Sequence, residues 1–338
     1  MSRNTQTAEY LAYCLQQARG IRPATLTKIL RRLARERCSP QEFLGLPPAS
    51  ALERFEVPPE VIDKVIQPAQ TTLDNWRRLQ DRGVKVLVIG SPEYPQRLEA
   101  NLGPKAPGIL YTLGNASLFG RPSIGFCGSR KASSAGLQLT SDCASLLAQR
   151  GFNVVSGNAQ GVDRAAHEGA LSAGGTTTRV LAEGMLHVPS KGTADMGTVS
   201  SRELIVSEFP PSLPWAVGSA MTRNRTICGL VGAVVLIEPG LEGGTFAAGK
   251  TALSLRLPVF CAESGDNRYD TLGTIHFLKN GATPLRRKES EQPDLAQIME
   301  AAIEPSPNAS AEQADLLFAL AEERPNLPPP SLARDNER

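Results

Sequence analysis

The sequence predicts an α/β fold, a mostly parallel sheet covered on both faces and preceded by a small helical region. Two observations carry this. Short β-branched runs alternate with helical stretches from about residue 83 to 284, and several of the runs are apolar almost without a break. Val231-Gly-Ala-Val-Val-Leu-Ile237 is the clearest, and such a run suits a strand buried on both sides. The expected strands are Val84–Ile89, Ser123–Cys127, Asn153–Ser156, Thr178–Ala182, Leu204–Ser207, Ala233–Glu238 and Val259–Cys261. Between them, Gly136–Arg150, Arg164–Ala173 and Phe246–Arg256 read as helices.

Upstream, Leu11, Leu15, Leu26, Ile29, Leu30 and Leu33 recur at helical spacing, and Pro and Ser clusters at 39–40, 47–50 and 58–59 punctuate the segment. Three regions follow: a helical module over 1–82, the α/β domain over 83–290, and a linker with a Pro-rich tail over 291–338. Ala311–Glu323 could form one helix there, with Leu316, Leu317 and Leu320 on its apolar face. The stretch Ala18–Leu30 reads as half of a helix-hairpin-helix, a SAM-like module, but Pro23 stands where a second glycine would aim N–H groups at a phosphate. Plain helix packing is the simpler reading.

Composition narrows the function classes. The formal net charge is +2, and residues 1–83 carry 13 Lys/Arg against 9 Asp/Glu. That basic front end fits a nucleic-acid partner and an ordinary solvated surface equally well. The six cysteines form no CxxC pair, and His167, His187 and His276 lie far apart, so no metal set is expected. The thiols read as small buried hydrophobes of a reducing compartment. No signal peptide or membrane-length apolar run is visible, so a cytoplasmic protein with no membrane partner is expected. No GxGxxG occurs, and no cofactor is assigned.

Ligands of open parallel sheets sit beyond the carboxyl ends of the strands, so the loops there matter most. The first candidate is Gly128-Ser129-Arg130, where glycine allows close approach of a phosphate and the arginine fork matches its oxygens. The second is Ser156-Gly157-Asn-Ala-Gln-Gly161-Val-Asp163 with His167 one turn on. Asp163 and His167 read as loop-structuring rather than catalytic, because no serine or cysteine nucleophile matches them. The third is Arg223-Asn224-Arg225, placed at a helix start where two cations would oppose the dipole unless an anion offset them. The fourth is Gly243-Gly244-Thr245, a strand-to-helix anion cradle followed by Lys250. Aromatic platforms look sparse, since Phe126, Phe209, Phe246 and Phe260 fall in core-like settings.

In order and spacing these loops resemble the DprA/Smf family over about 180 residues. Ser207-Glu-Phe-Pro-Pro211, Tyr94-Pro-Gln-Arg-Leu98 and Pro107-Gly-Ile-Leu-Tyr111 extend the likeness. The resemblance implies an extended Rossmann-like fold, a homodimer, and binding of single-stranded DNA, which is handed to a RecA-type recombinase during natural transformation. It implies no chemical step, with Arg130, Arg223 and Arg225 on phosphates and the glycine turns as N–H donors. The chain departs from the family pattern in three places. Ala220-Met221-Thr222 replaces the usual Phe-Pro before Arg-Asn-Arg. His187-Val-Pro-Ser-Lys191 replaces a Tyr-Pro segment, and Cys261-Ala-Glu263 replaces Val-Pro-Gly. The C-terminal winged helix of many members is expected to be absent or reduced to one helix. The alternative is a nucleotide-binding enzyme or sensor like the LOG class, with Glu238 or Glu242 as its acid.

Overall fold

The computed structural model describes residues 7–189, 199–264, 270–288, 290–306 and 308. The expected tail helix at 311–323, and residues 190 and 191 of the altered segment after Gly184, lie outside these.

Six helices come first: α1 (Ala8–Gln17), α2 (Pro23–Arg35), α3 (Pro40–Leu44), α4 (Pro48–Phe55), α5 (Pro59–Ile66) and α6 (Gln70–Asp81). The prolines that punctuate the sequence start α2 to α5, where a missing N–H costs nothing and φ is already helical. Ser39 and Glu42 add a reciprocal capping box at α3.

The sheet then builds from β1 (Lys85–Val88), β2 (Ile109–Gly114), β3 (Ser123–Gly128), β4 (Asn153–Ser156), β5 (Thr176–Val180), β6 (Glu203–Ser207), β7 (Ala233–Ile237), β8 (Val259–Ala262) and β9 (Thr283–Leu285). Its connecting helices are α7 (Gln96–Leu102), α8 (Ser134–Gln149), α9 (Val162–Ser172), α10 (Val217–Leu230), α11 (Gly243–Ser254), α12 (Leu272–Lys279) and α13 (Ala296–Ile303). The strand order is β1-β2-β6-β5-β4-β3-β7-β8-β9. All pairs are parallel except β1 with β2 and β2 with β6. The mostly parallel α/β sheet is therefore present, with an antiparallel extension at one end.

Two strands were not among those expected. β2 follows Pro107 and ends on Gly114, and β9 has three residues with Pro284 in the middle, tolerable because β9 is an edge. β5 lies two residues upstream of its expected span, since Thr176 and Thr177 pair with the neighbouring strands.

Side chains alternate between two apolar clusters, one on each face of the sheet. Ala233, Val235 and Ile237 of β7 join Ile124 and Phe126 in the cluster under α8, α9 and α13. Val234 and Leu236 turn to the other face, into the cluster that holds α10, α11 and α12. That second cluster runs without a break into the N-terminal helices, including Tyr13, Leu15 and Leu79 beside Leu110, Tyr111 and Leu204. Tyr111 Oη donates to Gln16 Oε1 at 2.6 Å and Gln16 Nε2 donates to the Glu208 carbonyl at 3.3 Å. The helical region and the sheet thus share one core across the join at residues 82 and 83. We propose that the helical region is a subdomain docked on the β2–β6 end rather than a freely tethered one.

The first two loops nest at the carboxyl ends of β3 and β4. A Cβ on Gly128 would overlap the Val162 side chain, and one on Gly161 would strike the Ser129 and Arg130 backbone. Gly161 also sits at φ +77, a left-handed value that L side chains rarely adopt. Gly161→Ala is expected to cost at least about 1–3 kcal/mol from backbone strain alone. Chemical denaturation would measure it, and an unchanged midpoint would contradict the nesting.

Candidate nucleic-acid interface

Strand order reverses between β3 and β7: β4, β5 and β6 extend one way and β8 and β9 the other. At such a switch point the helices leave in opposite directions and open a crevice. A cleft of about 340 Å³ lies there, lined from β3 by Cys127, Gly128 and Arg130 and from α11 by Gly243, Gly244 and Thr245. One face of α10 closes it, with Met221, Arg223, Asn224 and Ile227. Three of the four candidate loops therefore meet at the cleft through their side chains or backbone, and the second reaches it through Ala159 and Asp163.

The arginine motif is not where the sequence reading put it. α10 begins at Val217, so Arg223-Asn224-Arg225 lies in the middle of the helix and no dipole opposes it. Weak helix formers at Val217 and Gly218 hid the true start. Residues two apart on a helix point to different sides, and the motif divides accordingly. Arg223 is 7% exposed and faces the cleft, where its Nη1 stands 3.6 Å from Asp163 Oδ2. Arg225 turns away to Glu208, 3.7 Å distant, and does not line the cleft. Asn224 Nδ2 donates to the Gly244 carbonyl at 2.9 Å and ties α10 to the start of α11.

Around Arg223 the second loop is fixed from both sides. Ser156 is fully buried; its Oγ lies 2.7 Å from the Phe126 carbonyl and 2.9 Å from Asp163 Oδ1, so its one proton stays within the loop and is not offered to a ligand. The Ala159 N–H donates to Asp163 Oδ2 at 3.2 Å. A Cβ on Gly157 would overlap the Arg223 guanidinium, so this glycine makes room for the cation. Asp163 and His167 do not pair with each other. His167 Nε2 contacts the Gly157 carbonyl at 2.7 Å, and its Nδ1 contacts Thr177 Oγ1 at 2.6 Å. Thr177 Oγ1 also lies 2.8 Å from the Val154 carbonyl.

Burial sets the protonation of these groups. It drives the His167 imidazole down to about 3, despite the favourable Gly157 carbonyl. It pushes the Asp163 carboxyl upward, opposed by Arg223 and by the Ser156 and Ala159 hydrogen bonds. The Glu208 carboxyl is also raised by burial, against Thr226 and Arg225.

The anion-attracting parts of the cleft are Arg130, Arg223 and the first turn of α11. Glu242 precedes that turn, and its side chain makes no capping bond, so the Gly243, Gly244 and Thr245 N–H groups remain open. Gly243 has φ +87 with nothing near the position of a Cβ. Asp163 is the one acid among the described lining residues, and it faces Arg223. Ser129 uses its hydroxyl within its own turn, accepting from the Lys131 N–H at 3.1 Å. Lys250 lies outside the cleft, exposed, with its ammonium 5.8 Å from the Phe246 ring. Glu238, an acid in the nucleotide-enzyme reading, has φ 47 and caps α8 instead, accepting from the Ser133 N–H at 2.9 Å. Glu242 is exposed and outside the lining.

One aromatic lining residue escaped the sequence reading. Trp215, 49% exposed, stands on the rim with the Arg130 guanidinium 5.5 Å from its ring centre. The signal was a tryptophan directly after Pro214, in a loop leaving a strand's carboxyl end.

A family model for DNA recombination-mediator protein A matches residues 85–295. The chain belongs to this family. It is 28% identical to protein Smf of Synechocystis over 82% of this chain and 70% of that one. To DNA processing protein DprA of Bacillus subtilis it is 26% identical over 60% of this chain and 68% of the other. The X-ray structure of DNA processing protein A from Streptococcus pneumoniae superposes with a TM-score of 0.68 at 23% identity. It covers 83% of this chain and 95% of that chain. The fold is thus the family's, including the helical region ahead of the sheet. No described helix is long and apolar enough to cross a membrane.

The buried imidazole makes stability depend on pH. His167 is neutral when folded down to about pH 3 but takes a proton near 6.5 when unfolded. Its contribution is full above pH 6.5 and falls as the pH drops toward 3, by up to about 1.4 kcal/mol per unit. Asp163 works with the opposite sign, because its folded carboxyl holds a proton more readily. Urea unfolding of the parent and His167→Gln at pH 7 and 5 isolates the imidazole: the parent should lose more stability than the variant.

Proposed function

We propose that the cleft at the β3–β7 switch point binds the phosphate backbone of single-stranded DNA, and that the protein acts without a chemical step. The observation that carries this is the convergence of Arg130, Arg223 and the uncapped α11 turn on one cleft whose single acid faces Arg223. Family membership supports a role in DNA processing. Within that reading Gly128, Gly161, Gly243 and Gly244 shape the surface, while Ser156, Asp163 and His167 stiffen it. Arg225 and Lys250 leave the list of cleft groups: Arg225 holds α10 through Glu208, and Lys250 sits on the outer face of α11.

The phosphate contacts make binding salt-dependent and nearly blind to sequence. Handing of the strand to a RecA-type recombinase, assembly as a homodimer and work in the cytoplasm complete the proposal. They follow the family rather than any feature of the cleft. The fixing of Glu238 to Ser133 counts against a nucleotide-cleaving role.

Arg130→Ala is the cleanest test, because this side chain is exposed and its loss uncovers no buried charge. It should weaken oligo-dT binding and lower the slope of log K against log salt by about 0.7. Arg225→Ala should leave that slope unchanged. Fluorescence anisotropy at several salt concentrations reads both, and equal slopes for the parent and Arg130→Ala would refute the assignment.

A further inference from the structure

The rim of the cleft is apolar where its floor is cationic. Trp215, Val217 and Met221 are 49%, 65% and 40% exposed, and all three line the same cleft. Singly, exposed apolar side chains are ordinary; three together beside two arginines are not. The other tryptophan, Trp76, is buried against Tyr10 and Tyr13. A ligand that satisfies both halves has an anionic part and a flat apolar part. A phosphate alone leaves the rim wet, and a base pair inside a duplex has its faces already covered by neighbours.

We propose that Trp215, flanked by Val217 and Met221, is a base-stacking wall that makes this cleft select unpaired over paired nucleotides; the proposal rests on the DNA reading above. In the free protein the Arg130 guanidinium covers the ring at 5.5 Å. Among the described residues no carboxylate pairs with Arg130, so a cation–π contact is what parks it. An incoming base takes the ring face, and the guanidinium turns to the adjoining phosphate. Base and phosphate are then read together, and the exchange replaces one stacking contact with another. Because every base has a π-face, the wall adds preference for single strands without a sequence code.

The test uses the full chain, with fluorescein-labelled oligo-dT, an abasic strand of equal length, and a duplex. Trp215→Ala should weaken the intact strand roughly tenfold and leave the abasic strand and the duplex unchanged, while Trp215→Phe keeps most of the binding. Intrinsic tryptophan emission should be quenched by the intact strand and not by the abasic one, and the quench should vanish in Trp215→Ala. Equal loss on intact and abasic strands would overturn the proposal, as would no loss on either. If Arg130→Ala weakens both strands while Trp215→Ala changes neither, the stacking wall is wrong and the phosphate site stands. If the parent binds no strand at all, both readings fail.

Discussion

The buried pair of Arg223 and Asp163 is the contact on which the cleft depends. Two ionised groups leave water here, and a 3.6 Å attraction alone does not offset that desolvation. The surroundings complete the balance. Ser156 and Ala159 hydrogen-bond the carboxylate, and Gly157 has no side chain, so the guanidinium can lie over the loop backbone. The pair therefore joins α9, α10 and the β4 loop into one unit. His167 secures the same loop from beneath through the Gly157 carbonyl. The Nε of Arg223 is buried without a partner among the described residues, a further cost that the Asp163 contact has to offset.

The arginine motif divides its labour because an α-helix turns 100° per residue. Arg223 serves the cleft, and Asn224 bonds the next helix. Arg225 reaches back to Glu208, whose carboxylate also accepts from Thr226 and whose carbonyl accepts from Gln16 of α1. A single helical turn thus links the cleft, α11 and the N-terminal helices. Removing either member of the Arg223 pair would strand a charge in the interior, so the exposed Arg130 is the place where function can be separated from folding.

Much of this was legible in the sequence. The alternation of β-branched runs and helices fixed the class and most strands, because buried parallel strands carry their own apolar signature. The glycine-bearing turns at 128 and 157–161 announced where neighbours pack too close for a side chain, whereas the one at 243–244 is open and Gly243 answers only a left-handed backbone. The sequence was silent on direction. Nothing in Thr222–Arg225 says which arginine faces the cleft, since that depends on where α10 starts, and its first residues are weak helix formers. Ser129 and Ser156 read as phosphate ligands, yet Ser129 uses its hydroxyl within its own turn and Ser156 is buried. Trp215 gave only a local hint, and its significance needs the cleft it borders. β9 went unseen because three residues with a proline make no periodicity.

The outermost strands bear on how copies of the chain could associate. β9 has three residues, one of them a proline with no N–H to donate, and β1 at the opposite end has four. A second chain seeking to extend the sheet meets a short margin at either border, and at β9 one backbone donor is missing. Lateral zippering into continuous ribbons is thereby discouraged at both borders of the sheet.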